Sequence, residues 1–129
     1  MFHLYYTKIR KAVAELQVEM LQNEPPLYSL KFLTRLLNTM SVEGYDFMKD
    51  GVSSRVRDWE KKGKLEVYRK PAKGISKSMS FLNEKNVKKL CELTYKKGKI
   101  EYTEKDLKEK IERLRKEILN GNTDYLSVL

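Results

Sequence analysis

The 129-residue sequence is poor in the residues that build catalytic and metal sites, with one cysteine, Cys91, and one histidine, His3. A single cysteine excludes a disulfide within the chain and is typical of a reducing compartment. One cysteine and one histidine are too few for the usual zinc site in a single chain. Neither GxxxxGKS/T nor GxGxxG occurs, so no phosphate-binding loop of these types is present. We therefore predict no enzymatic activity, no catalytic residues, no cofactor and no bound metal.

Long apolar runs are also lacking. The mean hydropathy is −0.65, and no uninterrupted apolar stretch approaches the ~18 residues that a membrane span needs. The first residues, MFHLYYTKIRKAVAEL, lack the basic-then-apolar layout of a signal peptide. These absences predict no membrane partner and a cytoplasmic location, with association to the nucleoid if the chain binds DNA.

Positive charge is abundant, and it is concentrated. The net charge is +9, and residues 49–78 carry ten basic and four acidic side chains, whereas residues 1–48 carry five of each. Evenly spread basicity would favour solubility alone, but a concentrated excess indicates a site for a negatively charged partner.

Apolar periodicity predicts a single domain over residues 1–129 that is α+β and mostly helical. Helices are expected at 3–22, at 30–38 after an N-cap at Ser29, and at 51–62. Two further helices are expected within 84–120, capped by Asn83 and Thr103. Cys91 lies on the apolar face of the first of these two, so we interpret it as a core residue rather than a nucleophile.

Two stretches alternate between apolar and polar residues, KLEVYR with Leu65 and Val67, and SMSFL with Met79 and Phe81. The basic segment KPAKGISK separates them. This pattern predicts a β-hairpin and the element order α-α-α-β-β-α-α.

The helix at 51–62 and the hairpin together carry the basic excess. Val52, Val56 and Trp59 share one helix face, which leaves the polar side chains for the others. Hydroxyl groups donate to phosphates, and arginines reach base edges. The candidate DNA-binding residues are Ser53, Ser54, Arg55, Arg57 and Lys61 of the helix, and Arg69, Lys70, Lys73 and Lys77 of the hairpin.

The stretch SSRVRDWEKKGKLEVYR, followed by SMSFL, resembles the second half of a winged helix-turn-helix domain. The resemblance covers about residues 28–82, with helices 3–22 and 84–120 outside it. It implies binding of double-stranded DNA, with the helix at 51–62 as recognition helix in the major groove. It also implies a basic wing at 69–77 on the backbone or in the minor groove.

One feature departs from that family. About a dozen residues, TMSVEGYDFMKDG, separate the helix at 30–38 from Val52, where a short turn is usual. Two interpretations stay open: VEGYDFM forms a brief helix of its own, or the turn is expanded. We interpret Tyr45 and Phe47 as packing residues rather than platforms for stacked bases.

The resemblance leads to the hypothesis of a small, sequence-specific transcriptional regulator that is a homodimer. The apolar stripe at Leu107, Ile111, Leu114 and Ile118 could pack within its own domain or contribute to dimerisation, as could the helix at 3–22. Alternatives are a plasmid, phage or viral protein for replication or DNA segregation, and a protein–protein interaction module. RNA binding and non-specific architectural DNA binding also stay open.

Overall fold

The computed structural model of the chain describes residues 2–74 and 76–121, with side chains from Thr7 onward. The fold is α+β and mostly helical. The described residues form five helices and three strands: α1 (Phe2–Gln22), β1 (Leu27–Ser29), α2 (Leu30–Asn38), α3 (Lys49–Lys61), β2 (Tyr68–Pro71), β3 (Ser78–Asn83), α4 (Glu84–Lys96) and α5 (Glu104–Leu119). The side chain of His3 lies outside the described residues.

Three helices begin at polar side chains, as predicted. Ser29, Asn83 and Thr103 each accept a hydrogen bond from the backbone N–H three residues ahead, at 3.1, 3.0 and 3.1 Å. These bonds satisfy donors that the first helical turn cannot pair internally. No helix of the described chain is long and apolar enough to cross a bilayer.

The strands form one antiparallel sheet in the order β1-β3-β2. The long strand β3 is central: Leu27 of β1 pairs with Asn83, and Tyr68 of β2 pairs with Phe81. The hairpin is therefore stabilised along one edge by a strand that lies before α2 in the sequence.

The sheet departs from the sequence prediction in two ways. The strand β1 was not predicted, and the first hairpin strand begins at Tyr68 rather than at Leu65. Residues 65–67 alternate in polarity but lie outside the strands. Leu65 is buried in the core, but its backbone is not part of the ladder between β2 and β3. The helix α3 likewise begins at Lys49, two residues before the predicted start.

The segment between α2 and α3, residues 39–48, contains no helix, so the turn is expanded. Asn38 at the end of α2 fixes this turn, because its side chain accepts from the Phe47 N–H at 2.7 Å and donates to the Phe47 carbonyl at 3.0 Å. Phe47 is buried, and its ring meets Tyr45 edge-on at 4.7 Å. The interpretation of Phe47 as a packing residue is confirmed.

The main core lies between α2, α3, α4 and α5. The α5 stripe at Leu107, Ile111, Leu114 and Ile118 is buried in this core, and α5 contacts α1 and α2. The stripe therefore packs within its own domain, which was one of the two predicted arrangements. Cys91 is fully buried, and burial raises the pKa of its thiol to about 12.

Candidate nucleic-acid interface

The helix α3 separates apolar and polar side chains onto opposite faces. Val52, Val56 and Trp59 are buried against the core, as their spacing predicts. Ser54, Arg57 and Lys61 are exposed, and Ser53 is half-buried. The buried face fixes the helix, so the exposed cations project from a rigid element.

The β2–β3 hairpin carries a second group of cations. Lys70, Lys73 and Lys77 are exposed. Between them Ala72 is buried and packs in a small cluster with Leu16, Met20, Leu27 and Phe81. Contact with this cluster anchors the hairpin loop to α1 and to the sheet. Gly74 has φ +79°, a conformation that side chains disfavour.

Arg69, a predicted DNA-binding residue, forms an ion pair within the chain. Its guanidinium donates two hydrogen bonds to the Glu60 carboxylate, at 2.6 and 2.8 Å. This bidentate pair joins α3 to β2 and sets the position of the hairpin beside the helix. The Arg69 hydrogen bond lowers the pKa of Glu60, and Glu60 in turn raises the pKa of Arg69.

We expect Glu60→Gln to lower the free energy of unfolding by about 0.2–1 kcal/mol at neutral pH, since the pair is partly exposed. The pKa of Glu60 is depressed in the folded state, so its contribution is present at neutral pH. It should be lost as the pH falls below about 4. Urea unfolding at both pH values measures this difference. Glu66→Gln, at an exposed carboxylate on the following loop, is the matched control. Equal effects of the two variants would contradict a specific role for the pair.

Arg55, also predicted to contact DNA, is held against the expanded turn. Its guanidinium donates to the Tyr45 hydroxyl at 2.7 Å and lies 5.9 and 6.0 Å from the ring centroids of Tyr45 and Phe47. The ammonium of Lys99 lies over the same Tyr45 ring at 4.7 Å. One Arg55 nitrogen, Nη1, is buried without a hydrogen-bond partner among the described residues. Arg55 therefore fastens the turn to α3 in this conformation.

A groove of about 530 Å³ runs between α3, the start of α2 and the hairpin. It brings three of the predicted residues together: Ser53, Arg57 and Lys77. It also adds two cations that the sequence analysis did not select, Lys31 of α2 and Lys49 of α3. No sequence signal joins Lys31 to the basic segment, because only the packing of α2 on α3 brings it there.

Five of the predicted cations have no acidic or hydrogen-bonding partner among the residues that the structure describes: Arg57, Lys61, Lys70, Lys73 and Lys77. The predicted set of arginines and lysines thus divides into these five and the two internally paired arginines, Arg55 and Arg69. Within the described ranges, no group of three or more His, Cys, Asp or Glu residues could hold a metal ion.

No family model, no curated protein and no solved structure matches this chain.

Proposed function

We propose that the chain is a winged-helix protein that binds double-stranded DNA through α3 and the β2–β3 hairpin. Two features support the fold assignment. The helix α3 is followed by an antiparallel hairpin, and β3 of that hairpin also pairs with β1. The ion pair between Glu60 and Arg69 ties the hairpin to α3, which would hold it as a wing beside the recognition helix.

The observation that carries the binding proposal is the group of five unpaired cations, Arg57, Lys61, Lys70, Lys73 and Lys77. They come from a rigid helix and an anchored hairpin that meet at one groove. Cations without internal partners lose no ion pair when they neutralise phosphates, and each releases counterions from the duplex. In this proposal Arg57, Ser53 and Ser54 contact bases or phosphates, and the hairpin lysines contact the backbone.

A homodimer is part of the proposal, because two recognition helices ~34 Å apart would match successive turns of DNA. The α5 stripe cannot supply that interface, since it is buried in its own chain. The outer side of α1, where Ala14 and Val18 are partly exposed beside a shallow pocket, is the candidate surface.

The test is electrophoretic mobility shift with random duplex DNA, single-stranded DNA and RNA over a range of salt concentrations. If all five cations contact phosphates, the slope of log affinity against log salt should be about −4.5 for duplex. Affinity should then fall about 500-fold between 50 and 200 mM salt. Absence of duplex binding at low salt would refute the proposal, and preferential binding of RNA would redirect it.

Lys73→Ala is expected to weaken binding to all duplex sequences alike and to reduce the salt slope by about 1, because Lys73 would contact a phosphate. Glu66→Ala, also at an exposed loop position, should leave the slope unchanged. The same titrations measure both variants. A sequence-dependent effect of Lys73→Ala would mean that the hairpin reads bases.

A further inference from the structure

The groove between α2, α3 and the hairpin contains two lysines that the proposed DNA contact does not use. Lys31 comes from the first turn of α2, and Lys49 is the first residue of α3. With Arg57 and Lys77, four cations line the groove, drawn from three separate segments of the chain.

Folding places little neutralising charge among these cations. Asp50 is the one carboxylate that lines the groove, against four cations. The pKa of Lys31 is lowered by burial first, then by the charges of Lys49 and Arg10. These positive charges disfavour the protonated form of Lys31, so an anion bound beside it would relieve that repulsion.

The groove also offers uncharged donors. Ser53, Ser78 and Ser80 line it and have no side-chain hydrogen bond to any residue that the structure describes. Ser29, by contrast, is used internally: its hydroxyl caps α2 and donates to Gln17 Oε1 at 2.6 Å. The Ser29–Gln17 bond thus ties the start of α2 to α1 and fixes one wall, while the other three hydroxyls are available.

We propose that this groove is a phosphate-binding site in which Lys31 and Lys49 act together with Arg57 and Lys77. Ammonium and guanidinium groups with neighbouring hydroxyls are the donors that proteins use for phosphate oxygens. The phosphate has two sources that share this chemistry, the backbone of duplex DNA and a free phosphorylated small molecule. Assigning the phosphate to duplex DNA rests on the proposed function, whereas assigning it to a small molecule does not.

The first experiment uses inorganic pyrophosphate as the probe and follows the full chain by NMR. We expect saturable shifts of the signals from residues 29–31, 49–53 and 77–80. We also expect the titration midpoint of the Lys31 side chain to rise when pyrophosphate binds, because the bound anion offsets the charges of Lys49 and Arg10 that lower it; Arg57, Lys77 and Asp50 are the other charged groups along the groove. Chloride at matched ionic strength is the control for general screening.

The second experiment compares two double variants that remove the same charge. Lys31→Met with Lys49→Met alters the groove, and Lys88→Met with Lys89→Met alters exposed positions on α4. The groove variant should remain folded, because it removes two half-buried lysines that lie in no ion pair of the described residues. We expect it to abolish the saturable pyrophosphate shifts, to weaken duplex binding about tenfold and to reduce the salt slope by about 1–2.

The outcomes separate the proposed phosphate site from the proposed DNA binding. Loss of both pyrophosphate and duplex binding in the groove variant alone assigns the phosphate to the DNA backbone. Loss of pyrophosphate binding with unchanged duplex affinity, or in a chain that binds no duplex, supports the site and assigns it a free phosphorylated ligand. Absence of saturable pyrophosphate binding, with equal duplex affinity of the two double variants, overturns the phosphate site even if the chain binds DNA.

Discussion

Replacing Arg57 with alanine is expected to weaken binding to a specific duplex by about 1–3 kcal/mol, which corresponds to about 5- to 150-fold in affinity. Arg57 is exposed on the outer face of α3, lines the groove and has no partner among the described residues. Its guanidinium therefore gives up no internal contact on binding. Fluorescence anisotropy with a labelled duplex measures the loss, and the stability of the variant should stay within about 0.5 kcal/mol of the parent.

Arg55→Ala is the informative comparison, because the two arginines are two residues apart on one helix. Arg55 donates to the Tyr45 hydroxyl, so its loss should lower the free energy of unfolding by about 1.5–3 kcal/mol, as for a hydrogen bond from a charged group. The effect on duplex affinity should be smaller than that of Arg57→Ala. Tyr45→Phe, which removes only the hydroxyl, should reproduce part of this destabilisation.

The opposite pattern would contradict this division of roles. If Arg55→Ala lowers affinity as much as Arg57→Ala and leaves stability unchanged, then Arg55 leaves Tyr45 and turns towards the duplex. The cost of burying Nη1 without a hydrogen-bond partner would then favour that movement. Urea unfolding of both variants decides between the two cases.

The helices could be predicted from the sequence because their determinants are local. In α2 the cap at Ser29 and the apolar side chains from Phe32 to Leu37 lie within nine residues of each other. In α3 the spacing of Val52, Val56 and Trp59 fixes the buried face whatever the helix packs against. The start of α3 was less well predicted, since Met48 provides no side-chain cap.

The sheet could be predicted only in part, because strand pairing depends on distant residues. The strand β1 is three residues long and buried throughout, so it has no alternation to detect. Its partner β3 lies more than fifty residues further along the chain. Conversely, Leu65 and Val67 alternate with polar residues but lie outside the ladder, whose register begins at Tyr68 and Phe81.

The candidate site, like the sheet, could be predicted only in part, because it depends on contacts between distant residues. Residue type and position in the chain selected Arg57 and the hairpin lysines, but they could not reveal that Arg55 meets Tyr45 or that Arg69 meets Glu60. Lys31 was missed for the same reason, because only the packing of α2 against α3 brings it to the groove. Charge composition therefore identifies a basic segment, whereas tertiary contacts determine which of its cations have partners within the chain.

Trp59→Ala is expected to have the largest effect on stability, a loss of about 3–5 kcal/mol in the free energy of unfolding. Trp59 is the one tryptophan of the chain. It is 4 % exposed and joins α3 to the main core. Such a loss is a large share of the ~5–15 kcal/mol that stabilises a typical domain. Urea unfolding followed by far-ultraviolet circular dichroism measures it without relying on tryptophan fluorescence.

Arg57→Ala, on the opposite face of the same helix, is the control for Trp59→Ala. Arg57→Ala should lower duplex affinity and leave the free energy of unfolding nearly unchanged. Trp59→Ala should lower the free energy of unfolding, although every basic side chain is kept. Where Trp59→Ala is folded, its duplex affinity should approach that of the parent. A loss of stability below about 1 kcal/mol would mean that Trp59 does not hold α3 on the core, and the rigid presentation of Arg57 and Lys61 would then lack its structural basis.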